Sequence, residues 1–226
     1  MILAKSAIAS EPNANNIPER INYIQDVFNK GTDSAKHWWY GWVGFYSSAT
    51  AVSLALALTT NNPTLQITGG VSAGESLIGL SGMLIFPFRA KNAAEELKNM
   101  PDTTPEEKKK KLETAELLLK QSSDEELAGR SWVQHMLGVL VNAAGAVVVW
   151  PIYNNRIKQA GGTAWQQALG LFIVGTAVSE LQIWTEPTTA IHGESNYLST
   201  YHTHVESNLF FLPLDKGLSF EIIVRF

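Results

Sequence analysis

Long stretches of this chain carry almost no charge, and their lengths predict helices that cross a lipid bilayer. Between Lys36 and Arg89 the one Asp, Glu, Lys or Arg residue is Glu75, and a turn at residues 61–63 divides this stretch into two segments. An apolar helix needs about 20 residues to cross the hydrocarbon layer at 1.5 Å per residue. The pattern therefore predicts four spans, at residues 38–59, 65–88, 132–151 and 163–184.

Aromatic residues stand at the ends of these predicted spans. Trp and Tyr concentrate at the membrane interface because the ring is apolar and its polar group retains access to water. The sequence therefore favours an all-α integral membrane protein whose four spans form two hairpins. The aromatic residues in question are Trp38, Trp39, Tyr40, Trp42, Phe86, Phe88, Trp132, Trp150, Tyr153, Trp165 and Trp184.

Two other fold classes stay open at this point. A soluble helical protein could contain uncharged core helices, although four such stretches of this length are unusual in one. An outer-membrane barrel is suggested by the alternation of large and small residues in 52–58 and by the terminal Phe226. The Lys- and Glu-rich insert before residue 131 and the non-alternating third span argue against the barrel.

The polar segments predict helices outside the bilayer. Residues 18–30 should form a short amphipathic helix that ends at Gly31. Thr104 and Glu107 fit a capping box with a proline at the first helical position. A second capping box at Ser123 and Glu126 should begin the approach to the third span. Together with a helix at 91–99, these signals predict a soluble helical hairpin over residues 89–131.

The C-terminal tail has the alternating pattern of a β-hairpin. In residues 218–226 every second side chain is apolar, and the side chains between them are polar except Ile223; residues 209–212 are the predicted partner strand. A two-stranded hairpin alone is marginally stable in water, so its apolar face needs a cover. Just before it, His202, His204 and Glu206 share one face of a strand. Exposed polar residues are the favoured interpretation there and a metal site the alternative.

These elements divide the chain into five segments and suggest an orientation. Four spans place both termini and the 89–131 loop on one side, and only Arg156 and Lys158 of the 17 basic residues lie on the other. The positive-inside rule makes the basic side cytoplasmic. Lys5 interrupts any signal peptide, although residues 7–9 resemble a cleavage site that would imply export and an inverted topology. The segments are 1–36, 37–88, 89–131, 132–184 and 185–226.

Composition excludes several classes of function. The net charge of -4 supplies no basic surface for nucleic acid. The absence of cysteine excludes disulfides, thiolate metal sites and cysteine nucleophiles. No nucleotide-binding, zinc-protease or hydrolase motif occurs. We therefore expect neither catalysis nor a cofactor.

Ionisable and amide residues within the spans are the candidate chemistry. Such residues are costly in lipid and normally face the bundle interior or a water-filled cavity. Their depths permit a contact between Glu75 and Asn142 and a pair between His135 and Glu180. An ion or proton path and plain interhelical hydrogen bonding are both compatible with the pattern. A weak internal repeat, in which a glycine stands five residues before each glutamate, would make Glu75 and Glu180 equivalent.

Small residues in the spans predict close helix packing. Gly70 and Gly74 fit the motif that lets two helix backbones touch, within the molecule or between subunits. With an apolar strand face that needs a cover, this favours a non-catalytic accessory or assembly subunit that contacts lipid and other membrane subunits or a second copy. A small ion or proton transporter using Glu75 and Glu180 is the alternative. The predicted packing glycines are Gly70, Gly74, Gly79, Gly138, Gly145 and Gly175.

Overall fold

The computed structural model describes residues 16–86, 88–156, 164–201, 206–214 and 217–225. In this part of the chain, seven helices precede two strands. The helices are α1 (Ile17–Thr59), α2 (Pro63–Ile85), α3 (Ala90–Lys98), α4 (Pro105–Gly129), α5 (Trp132–Arg156), α6 (Ala164–Thr185) and α7 (Thr189–Tyr201). The strands are β1 (Glu206–Leu214) and β2 (Gly217–Arg225).

Four of the described helices are long and apolar enough to cross a membrane. Their apolar parts coincide with the four predicted spans to within about three residues, so the prediction of a helical, multi-pass membrane protein is confirmed at the level of length and composition. Large apolar side chains on these helices point outward, as lipid-facing residues do. We call the second half of α1 (residues 36–59), with α2, α5 and α6, the bundle.

The bundle is built from two helical hairpins, α1 with α2 and α5 with α6. The first hairpin turns at the predicted place, where the Asn62 side chain accepts hydrogen bonds from the N–H groups of Thr64 (2.9 Å) and Leu65 (3.4 Å). Pro63 then occupies the start of α2, where its missing N–H costs nothing. The predicted turn is therefore confirmed.

A second group of helices packs beyond one end of the bundle. We call it the head: the first half of α1 (residues 17–35), with α3, α4 and α7. Its core contains Ile21, Ile24, Phe28, Ala93, Ala94, Leu97, Leu112, Ala115, Leu118, Leu119 and Tyr197. The predicted hairpin at 89–131 thus does not stand alone, because α3 and α4 pack with α1 and α7.

The continuity of α1 contradicts the prediction of a separate amphipathic helix ending at Gly31. One helix of 43 residues runs from the head into the bundle, through the segment boundary placed at residue 36. Gly31 has a packing role: a methyl group there would lie 3.0 Å from Cγ2 of Thr189, the first residue of α7. The absence of a side chain lets α7 approach α1 and does not end the helix.

The predicted capping box at Thr104 is confirmed, and the one at Ser123 is wrong. The Thr104 hydroxyl accepts the Glu107 N–H (3.2 Å), and the Glu107 carboxylate accepts the Thr104 N–H (2.9 Å). Helix α4 continues unbroken through Ser123 and Glu126 to Gly129. Both residues are buried, because that face of α4 packs inside the head rather than beginning a new helix.

Helix α7 was not predicted, and the tail beyond it is described only in part. The backbone of β1 and β2 pairs antiparallel, with Glu206 opposite Arg225. How these strands contact other elements is not described, so a tail hairpin as a structural unit stays a prediction. His202 and His204, two members of the alternative metal set, lie outside the described residues.

Candidate functional site

A cavity of about 880 Å³ lies between the two hairpins of the bundle. The hairpins meet far from the head, where the Thr64 hydroxyl lies 3.4 Å from that of Tyr153. They meet again near the head, where the Trp38 indole donates to the Gln182 carbonyl oxygen (3.2 Å). The cavity is lined by residues of all four bundle helices.

The cavity walls combine apolar, aromatic and polar side chains. It extends from mid-bundle to the residues that connect the bundle with the head. Its aromatic lining is Trp38, Phe45, Tyr46, Phe86 and Phe88. Its uncharged polar lining is Ser53, Ser72, Ser76, Gln134, Asn142, Ser179 and Gln182, and its charged lining is Glu75, Arg89, Glu125 and Glu186.

Glu75 is the carboxylate deepest in the bundle. It lies near the middle of α2, packs against Gly145 of α5, and its Oε1 atom has no hydrogen-bond partner in the described chain. A side chain at Gly145 would occupy the place of the Glu75 carboxylate. The glycine therefore makes room for an ionisable group that the protein leaves without a partner of its own.

Asn142 lines the same cavity, but its described hydrogen bonds go to other groups. Its Nδ2 atom donates to the Gly138 carbonyl oxygen (2.6 Å) and to the Ser179 hydroxyl (3.1 Å). The amide also fills the space that a side chain at Gly175 would need. Asn142 and Glu75 thus line one cavity, but the described hydrogen bonds of Asn142 join α5 to α6 and do not include Glu75.

The end of the cavity nearest the head is charged. The Arg89 guanidinium pairs with the Glu125 carboxylate (Nε to Oε1, 2.6 Å), which also accepts the Arg89 backbone N–H (2.9 Å). The Glu186 carboxylate lies against Gly129, and Arg130 donates to the Glu186 carbonyl oxygen (2.8 Å). Three acidic residues and one basic residue therefore face this cavity.

His135 and Glu180 form the predicted pair, but they lie outside the cavity lining. The His135 Nδ1 atom is 2.8 Å from Glu180 Oε2, and the Trp184 indole N–H donates to the same oxygen at 3.2 Å. Both side chains are about one third exposed, at 32% and 33%. The surroundings of Glu180 thus differ from those of Glu75, which speaks against equivalent roles in the two halves.

Four of the six predicted packing glycines make close contacts. Gly79 faces the Tyr46 ring, Gly138 faces Ser179, and Gly145 and Gly175 accommodate Glu75 and Asn142. Gly70 and Gly74 differ, since nothing lies within 4 Å of a side-chain carbon placed there. The α1–α2 contact instead uses Gly69, where a methyl group would lie 2.8 Å from the Ser53 carbonyl oxygen. The predicted motif was therefore one residue away from the helix face that packs inside the molecule.

Gln182 is the main site residue that the sequence interpretation missed. Its side-chain oxygen accepts the Tyr46 hydroxyl (2.6 Å), and its Nε2 donates to the Met83 sulfur (3.0 Å). It therefore links α6 to both helices of the first hairpin. The helical spacing of Gly175, Ser179, Gln182 and Glu186 was an available signal, because residues three or four apart share one helix face.

A buried carboxylate also lies at the junction between head and bundle. Glu126 is fully buried, and its Oε2 atom accepts the N–H of Ile191 in the first turn of α7 (2.9 Å). Burial raises the pKa of Glu126 to about 7, although this hydrogen bond and nearby Arg130 favour the ionised form. Glu126 therefore accepts, from α4, a backbone N–H group in the first turn of α7.

Comparisons with protein-family models, with curated proteins and with solved structures find no significant match to this chain.

Proposed function

We propose that the protein is a small membrane transporter or channel in which Glu75 binds the transported ion or proton. The observation that carries the proposal is the position of this carboxylate, unpartnered at Oε1, in a cavity of about 880 Å³ between the hairpins. Intramembrane carboxylates are costly and commonly mark ion or proton pathways. Glu180 was part of the expected path, but its pairing with His135 outside the cavity gives it a structural role in this proposal.

The sequence of the bundle strengthens the argument. The segments 37–59, 63–85, 132–155 and 164–185 contain no Lys or Arg, so these segments offer no permanent cation that could neutralise Glu75. An ionised carboxylate in such surroundings needs a cation or water, and a neutral one needs a proton. In the proposed mechanism, exchange of one for the other at Glu75 is the chemical event of transport.

The test is ion and proton flux into liposomes that contain the purified full-length chain. We expect flux with the wild-type protein, its loss in Glu75→Gln, and its retention in Glu180→Gln. The second variant is a matched control, because it makes the same chemical change in the same bundle but outside the cavity lining. Flux that is unchanged in Glu75→Gln would refute the proposal.

A role as an accessory or assembly subunit is the second candidate, and one observation favours it. Gly70 and Gly74 lie on an exposed face of α2 with open space around them. A helix of another membrane subunit, or of a second copy, could approach this face closely. The tail hairpin, with its apolar face, would be a further contact. Purification in mild detergent tests this role: a Gly74→Leu variant should lose a partner that the wild-type chain retains.

We also propose that the head lies on the cytoplasmic side. The head and the segments that adjoin it contain most of the Lys and Arg residues, and the bundle connections on the other side contain Arg156 and Lys158. Labelling of single cysteines, introduced into this cysteine-free chain at Lys109 and Lys158, tests the orientation in intact cells. The cysteine of Lys158→Cys should react with an impermeant reagent added outside the cell, and the cysteine of Lys109→Cys should not.

A further inference from the structure

The charge of the cavity lining indicates what kind of molecule would complement it. Glu75, Glu125 and Glu186 face the cavity together with Arg89 as the one basic lining residue. Arg89 is already paired with Glu125 at 2.6 Å. Burial raises the pKa of the Glu186 carboxyl group to about 8, so at neutral pH Glu75 is the remaining carboxylate that can give this lining a negative charge. With Glu75 ionised the lining has a net formal charge of -1, and it favours a cationic occupant over an anionic one.

The remaining surface of the cavity indicates a molecule larger than a metal ion. Aromatic side chains line it from α1 and from the end of α2, including Phe45, Tyr46 and Phe86. Aromatic rings attract organic cations through the negative face of the ring and bury apolar groups at the same time. A volume of about 880 Å³ lies within the roughly 300–1,000 Å³ range of small-molecule sites.

We infer that the cavity binds a lipophilic organic cation, with its charge at Glu75 and its apolar groups against the aromatic wall. This inference rests on the proposed function and names the class of substrate for the same site. A bilayer lipid is the alternative occupant of an apolar space between hairpins. Lipid chains carry no positive charge at mid-membrane, however, and give no reason for an unpartnered carboxylate at that depth.

The test uses the full-length protein in mild detergent and two probes of equal shape and opposite charge. Tetraphenylphosphonium is a lipophilic cation, and tetraphenylborate is the corresponding anion. We expect equilibrium dialysis to show binding of the cation at least tenfold tighter than that of the anion. Glu75→Gln should weaken cation binding at least tenfold, while Glu180→Gln should change it less than twofold.

The wild-type comparison of the two probes needs no variant, so a folding defect in Glu75→Gln cannot obscure the result. Equal binding of cation and anion would assign the cavity to lipid or detergent and overturn the inference. Cation binding that is unaffected by Glu75→Gln would also overturn it. Glu75-dependent proton flux without binding of the cation would remove the inference and leave the proposed function in place. Binding of the cation without any flux would remove the proposed function and leave the inferred binding site in place.

Discussion

Replacing Glu126 with glutamine is expected to reduce the dependence of the stability of the head on pH. Glutamine has nearly the same shape, and its side-chain oxygen can accept the Ile191 N–H that Glu126 Oε2 accepts at 2.9 Å. What the substitution removes is the cost of ionising a fully buried carboxyl group. The variant therefore separates the capping hydrogen bond from the buried charge.

The magnitude follows from the pKa of Glu126. Burial raises this pKa from an ordinary value of 4.5 to about 7. Between these values the folded state keeps a proton that the unfolded state has released, so the free energy of unfolding decreases as pH rises. The contribution of Glu126 is fully present below pH 4.5 and is lost above about pH 7. At 1.36 kcal/mol per pH unit, the difference corresponds to about 3 kcal/mol.

Amide hydrogen exchange of α7, corrected for the intrinsic effect of pH, measures this contribution locally. In the wild type, protection of residues 189–201 should decrease between pH 5 and pH 8. In Glu126→Gln it should decrease less, and the remaining change is expected from Glu186, whose pKa burial raises to about 8. Glu113→Gln is the matched control, because Glu113 is an exposed residue of the same helix. Wild-type protection that does not change over this range, or a variant that follows the wild type, would refute the reasoning.

Three further substitutions test the head and the cavity separately. Leu112→Ala removes a side chain that is 2% exposed in the head and should cost about 2–5 kcal/mol, measured as a lower melting temperature in detergent. Thr104→Ala should cost about 1 kcal/mol and increase exchange in the first turn of α4, because it removes one half of the capping box. Gly145→Leu should abolish flux that depends on Glu75 by occupying the place of its carboxylate, with unchanged exchange in the head.

Much of the membrane-spanning architecture could be predicted because it depends on local composition. The uncharged segments locate the four spans to within a few residues, apart from the head half of α1. Asn62 and Thr104 cap the predicted helix starts because a cap is satisfied by residues that are neighbours in the chain. The His135–Glu180 pair could also be predicted, since depth follows from the position of each residue along its helix.

The failures share a different cause, which is packing between segments distant in sequence. In the sequence, Gly31 resembles a glycine that ends a helix. Its packing role becomes clear only from its close approach to Thr189, which is distant in the chain. The first turn of α7 is bonded to Glu126 of α4, and this contact joins segments that are 65 residues apart in the chain. The cavity depends on where the hairpins cross, and no periodicity within a single helix specifies that crossing.

The unbroken course of α1 has a mechanical consequence. At 1.5 Å per residue its 43 residues form a rod about 65 Å long, and each added residue turns the remainder by about 100°. One residue inserted near Asp33 would therefore rotate Ile24 and Phe28 relative to Tyr46. Either the head core, which contains Ile24 and Phe28, or the packing of Tyr46 in the bundle would then be lost. The two ends of the molecule therefore share a single rotational phase, which is set by α1.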